Sequence, residues 1–367
     1  MSNYEQKQFW AFLNMIDKRH FKSSKKEGDI MYYYTSTSLN ELDQVRRSQG
    51  ANALKSMFLK SGLENSQNAI NQLNSENLTF TSLFLLQPEI SELNLRDNLS
   101  QRNQTALSIC KRVTDGKTIS DNSDMQDSPE NEQYHKVLLW MFKTGSADDG
   151  LSDEFDQIID ILASILIKTH HEKSILPIVV DVIFKRNQKE LYIHDLVWAC
   201  FLSRDLDVLR LIAEHLVSSN PRDVELAKKL LHLQQESPRS RNVDNQSLYT
   251  AYLSWLKDNN PYIYFTGESF NLTNCPSHCS VDLEAKYLCK DNVICVSKQN
   301  SQLADYEQSC LNSFNKLQDN DKAVLARHSQ KIYRENPSYW NQWIKLPLDK
   351  QIYLARHSGG NSYGCYR

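Results

Sequence analysis

Between Leu151 and Lys257, apolar residues recur at helical spacing in short runs divided by polar breaks. Phe155, Ile158, Ile159, Leu162, Ile165 and Leu166 follow Ser152 as one stripe, a spacing that places them on one face of a capped α-helix. Ser174 is expected to cap a second helix with Ile175, Val179 and Ile183, its Pro177 tolerated in the first turn. A third carries Leu191, Leu196, Val197 and Cys200, and Asp205 caps a fourth with Leu206, Leu209, Ile212 and Leu216. Asn220-Pro221 opens a fifth with Val224, Ala227 and Leu231, and Ser247 is placed at the head of a sixth with Leu248, Ala251, Tyr252, Trp255 and Leu256. Helices this short cannot each bury an apolar face alone, so they must stack. Two such helices with their turns take about 35–40 residues, the spacing of HEAT- or TPR-like solenoids. An irregular bundle fits the same pattern.

The flanking segments are also helical in pattern. Phe9, Phe12, Leu13, Ile16 and His20 make one stripe, and Tyr32-Tyr33-Tyr34 reads as a short extended piece. Ser38 and Glu41 have capping-box spacing ahead of Leu39, Leu42 and Val45, which predicts a helix running to Lys60 and stopping at Gly62. Leu78 to Leu86 is an apolar run broken by Pro88, and helical spacing resumes from Ile90 to Val113. No apolar period survives among Asp115, Asp121, Asp124, Asp127, Glu130 and Glu132, so an acidic linker is expected there. Pro129 restarts helix. After Asn259-Asn260-Pro261, the segment 262–267 is the one place for a minor β element, and helical spacing returns around Leu311, Leu325, Trp340 and Tyr353. The expectation is an all-α, multi-helical chain in four parts: 1–114, a linker over 115–133, a central helical block over 134–258, and an aromatic, cysteine-rich part over 259–367.

Composition narrows the function classes. Ten glycines in 367 residues, with Gly267 alone between Leu151 and Ser358, leave no glycine-rich phosphate loop after a strand. The net charge of −3 gives no global attraction to nucleic acid, and no apolar run approaches membrane-spanning length. Without a leader-like N-terminus, eight cysteines read as reduced thiols in the cytoplasm. Export by a route without a cleaved signal is the alternative, and would allow disulfides.

The residues with most chemical potential are Cys275, His278, Cys279, Cys289 and Cys295. Thiolates and imidazoles suit zinc, yet Cys-x3-Cys and Cys-x5-Cys are not the spacing of a zinc knuckle. Structural zinc, core packing and disulfide pairing are all open on the sequence. Leu325-Ala326-Arg327-His328-Ser329 recurs as Leu354-Ala355-Arg356-His357-Ser358 and reads as a repeated helix end, with cations near the negative pole of the dipole. His170-His171-Glu172 forms no metalloprotease signature and is placed in a turn. Tyr262, Tyr264, Phe265, Trp340 and Trp343 belong to a ring-rich C-terminal part whose rings fill a core or anchor a partner.

These readings favour a non-catalytic adaptor or scaffold that binds a protein partner through stacked helices. A zinc protein or metal-dependent enzyme centred on the Cys/His cluster, and an exported effector acting on a protein, are the alternatives.

Overall fold

The computed structural model describes residues 40–116, 129–233, 244–290 and 305–357. The expected helix over Phe9 to His20, the tyrosine run at 32–34, most of the acidic linker, the basic break at 238–242 and Cys295 lie outside the described residues. Among the described residues, the fold is all-α with one two-stranded antiparallel sheet. No described helix is long and apolar enough to cross a membrane. Contacts divide the chain into two compact units that meet in sequence at Ser203 and Arg204, so the central helical block contributes to both.

The first unit contains α1 (Glu41–Gln49), α2 (Ala51–Glu64), α3 (Ser66–Leu73), α4 (Phe80–Leu85), α5 (Gln87–Glu92), α6 (Gln101–Thr114), α7 (Pro129–Gly145), α8 (Asp153–Lys168), α9 (Leu176–Gln188) and α10 (His194–Leu202). The single helix expected up to Lys60 is two. Asn40 caps the first, its Oδ1 accepting from Leu42 N at 2.8 Å, and Gly50 at φ 88° breaks the chain between them. Gly62 sits inside α2 because a Cβ there would overlap the Leu93 side chain. Pro88 falls in the first turn of α5, where its missing N–H costs nothing.

A buried polar network ties this unit together. Asp43, fully buried on α1, accepts from Thr79 N at 2.9 Å, from Ser82 Oγ at 2.6 Å and from the Thr79 hydroxyl. Arg46 reaches Asp148 at 2.9 Å, and Thr81 Oγ1 donates to the same carboxylate at 2.7 Å. A buried carboxylate is tolerable only when its lone pairs are met this way. Around it, Phe80 stacks on Phe155 with ring centres 5.5 Å apart, and Trp140 meets Phe80 edge-on at 6.2 Å. Gly145 makes that approach possible: a Cβ would lie 2.9 Å from both Phe80 Cδ1 and Ile159 Cδ1.

The second unit holds α11 (Leu206–Glu214), α12 (Pro221–Leu230), α13 (Asn245–Asn259), β1 (Ile263–Phe265), β2 (Cys279–Val281), α14 (Leu283–Tyr287), α15 (Asp305–Phe314), α16 (Asp319–Glu335), α17 (Pro337–Trp343) and α18 (Leu348–His357). Asp205 and Asn220 cap as the sequence predicts, accepting from Asp207 N at 2.9 Å and Arg222 N at 3.0 Å. The cap of α13 is Asp244, not Ser247, whose N–H and hydroxyl both donate to the Asp244 carboxylate. An aspartate outside the apolar run wins because its full charge also favours the positive helix end. The C-terminal helices pack on Tyr287, Phe314 and Trp343, all buried, with Tyr287 and Phe314 stacked at 4.4 Å.

Candidate functional site

In the first unit, α8 buries Phe155, Ile158, Ile159, Leu162, Ala163, Leu166 and Ile167 against its neighbours. Ile165, expected in that stripe, lies instead with Asp156, Asp160, Ile161, Ser164 and Lys168 on the opposite face. That face floors a groove of about 740 Å³, walled by Val113 at the end of α6 and by Arg186, Tyr192, Asp195 and Trp198 from α9, α10 and the turn between them. Sixteen helical residues give the floor a length of roughly 24 Å. Ser152 starts the helix by accepting from Phe155 N at 3.2 Å, and this cap fixes which residues face the groove.

The groove is polar at one end and apolar in the middle. Along α8, Asp153, Asp156 and Asp160 lie toward the N-terminal end, Ile161 and Ile165 follow and Lys168 lies at the far end, while Asp195 and Trp198 stand on the α10 wall. Arg186 is buried among the carboxylates, yet it is already committed. Its Nη2 lies 2.6 Å from Asp149 Oδ1, its Nη1 donates to Asp160 Oδ2 at 2.9 Å, and Nη1 also reaches the Tyr192 carbonyl at 3.3 Å. Burial alone would lower the guanidinium pKa, but the hydrogen bonds and charges of Asp149 and Asp160 outweigh it and raise the value. Burial pushes the Asp160 carboxyl up to about 6; Arg186 opposes this, and Asp149 and Asp195 add to it. Burial also raises Asp156, against a hydrogen bond from Gly150 N. Both shifts come first from partial desolvation of the cleft.

In the second unit, the predicted Cys/His cluster is only partly assembled. Cys279 is buried in β2, paired opposite Phe265. Cys289 follows α14 at φ 52° and its Sγ lies 3.6 Å from Ser329 Oγ, within the C-terminal core. Cys275 and His278 remain near each other on the loop between the strands. They are joined by a residue with no sequence signal, His232, just past α12. Its Nδ1 lies 4.0 Å from Cys275 Sγ, and its ring centre is 6.3 Å from that of His278. His278 is buried and its Nδ1 donates to the Glu268 carbonyl at 3.2 Å; burial brings its pKa down to about 4. Among the described residues, no group of three or more His, Cys, Asp or Glu is arranged to hold a metal ion.

The aromatic candidates separate by burial. Trp343 is fully buried, and Tyr262 and Trp340 are 4% and 8% exposed, so these three lie within the core. Tyr264 is exposed and Phe265 half-buried on β1. Trp340 Nε1 donates to Ser329 Oγ at 2.7 Å, inside the first Leu-Ala-Arg-His-Ser copy. That copy lies within α16, and only the second closes its helix, with His357 stacked on Tyr353 at 4.1 Å. His170 to Glu172 lie in the turn after α8, where Glu172 accepts from Ser174 N at 3.0 Å and pairs with His135 at 3.2 Å.

The groove was missed because its carboxylates look like an ordinary solvated helix face. The usable signal was Ile161 and Ile165, two isoleucines on the polar side of an amphipathic helix. Comparison with protein-family models, with curated proteins and with solved structures gives no match for this chain.

Proposed function

We propose that this protein is a non-catalytic binding protein, and that the α8 groove receives a short segment of a protein partner. The supporting observation is the outer face of α8, which lines an open groove among the described residues and carries carboxylates beside an apolar middle. Charge complementarity selects the occupant. Arg186 is satisfied by Asp149 and Asp160, so Asp153, Asp156 and Asp195 leave net negative charge at that end. A lysine or arginine would seat there, and a leucine or phenylalanine of the same segment would cover Ile161, Ile165 and Trp198. Asp156 and Ile161 are about 8 Å apart along the helix, a span of two to three extended residues. Lys168 disfavours a second cation at the far end. The ring of Trp198 supplies the large apolar contact that such sites use.

The test uses fluorescein-labelled peptides carrying one arginine and one leucine at varied spacing, titrated with the full chain and followed by anisotropy. At least one spacing should bind in the micromolar range, weaken about tenfold in Asp156→Asn and in Ile161→Ser, and weaken with added salt. Absence of binding tighter than about 1 mM at every spacing, or binding that neither substitution alters, would overturn the reading.

A further inference from the structure

We propose that Cys275 is a nucleophilic thiol, served by His232 as its base, that exchanges with low-molecular-weight disulfides. The two residues are 43 positions apart in sequence, yet Sγ and Nδ1 approach to 4.0 Å. The imidazole tautomer follows from its second contact. His232 Nε2 bonds the Pro276 carbonyl, which can only accept, so Nε2 carries the proton and Nδ1 presents its lone pair to the thiol. A nucleophile, a base and a group that orients the base are thus in place.

The loop holds this geometry through its own hydrogen bonds. Thr266 N donates to the His278 carbonyl at 3.1 Å and Ser277 N donates to Glu268 Oε2 at 2.7 Å, closing the loop on both sides of Cys275-Pro276. Burial lowers the pKa of His232, so the imidazole is neutral and able to accept a proton at pH 7. Cys275 itself is exposed. Exchange with a disulfide needs access to the sulfur and a group to take its proton, and an exposed Sγ beside His232 Nδ1 meets both needs.

In the step, His232 Nδ1 takes the thiol proton and the Sγ electron pair attacks one sulfur of the incoming disulfide. The S–S bond breaks, the second sulfur leaves as a thiolate, and the imidazolium returns the proton to it. The product is a mixed disulfide on Cys275 and one free thiol. Cys279, the next cysteine, is buried in β2, so the mixed disulfide persists.

The experiment treats the full chain with glutathione disulfide and follows each cysteine by peptide mass mapping between pH 5 and 9.5. At pH 7, Cys275 should be modified at least tenfold faster than half-buried Cys310. His232→Gln should slow Cys275 about tenfold at pH 7, while the two rates converge near pH 9.5, where thiolate forms without a base. In the unsubstituted protein, the Cys275 rate should change little just above the His232 titration and fall about tenfold per pH unit only below it, whereas a lone thiol falls throughout the range. Equal reactivity of Cys275 and Cys310, or a wild-type profile with a single thiol ionisation, would refute the assignment. That wild-type profile needs no variant to fold.

Discussion

Arg186 and Asp149 meet as a fork: Nη2 and Nε lie 2.6 and 3.0 Å from Asp149 Oδ1, and Nε is also 2.9 Å from Oδ2. Both side chains are almost wholly withdrawn from solvent. This pair joins α9 to the turn before α8 and holds the wall of the groove at its acidic end. Arg186→Met would leave the Asp149 carboxylate buried without its partner, and loss of one member of such a pair costs about 3–5 kcal/mol. Urea unfolding should show the loss as a lower midpoint at unchanged slope. A midpoint within error of wild type would mean that the pair contributes little.

Asp160 should make stability depend on pH. Its folded value of about 6 lies above the unfolded value of about 3.9. Between the two, the native state binds more protons than the unfolded one, so this group makes the unfolding free energy fall as pH rises from 4 to 6. Asp160→Asn should remove that component, so the difference between variant and wild type grows over this window and levels off above it. A difference that stays constant with pH would contradict the raised value. A cation bound in the groove would draw the same proton off, so peptide binding should weaken as pH falls below 6.

Gly145→Ala tests the close packing of α7 on the aromatic cluster. The added methyl would contact Phe80 and Ile159 at 2.9 Å and Phe155 Cζ at 3.3 Å, so these side chains would have to shift. Overpacking of this kind costs about 1–3 kcal/mol. Differential scanning calorimetry should register a lower Tm, and near-ultraviolet dichroism should report the shifted rings. An unchanged Tm would show that the cluster gives way easily.

Gln351 holds the C-terminal core. Tyr287 OH donates to its Oε1 at 2.8 Å, and its Nε2 donates to the Ile344 and Leu346 carbonyls at 3.0 and 2.8 Å. Gln351→Ala removes the hydrogen-bond partner of the buried Tyr287 hydroxyl and one donor each from the Ile344 and Leu346 carbonyls, a buried group left unmet costing about 1–3 kcal/mol, whereas Tyr287→Phe removes one hydroxyl and keeps the ring stack. The alanine variant should therefore be the less stable of the two by chemical denaturation. The reverse order would place the energy in the Tyr287 hydroxyl instead.

Much of the helical framework was legible in the sequence because capping and apolar spacing are local. Ser152, Asp205 and Asn220 each cap where their neighbours predicted, since a side-chain acceptor two or three residues from an orphan N–H needs no tertiary context. Gly50 and Gly62 went wrong for opposite reasons. Gly50 breaks the helix by its backbone conformation, whereas Gly62 is retained within one for close packing on Leu93. Composition cannot separate those two uses of glycine.

By itself, the sequence determined that this chain is helical, where several helices begin, and that 262–267 could hold a short strand, but not that Cys279–Val281 would pair with it. The tertiary structure decided which rings are core and which surface, turning Trp343 and Tyr287 inward. It also decided that the outer face of α8 would be a groove, and that His232 would meet Cys275. Hydrogen-bond capping and helical period act over a few residues and are written in order along the chain. Burial, desolvation of Asp160 and the approach of an imidazole to a thiol depend on residues far apart in sequence, and exist only once the helices are packed.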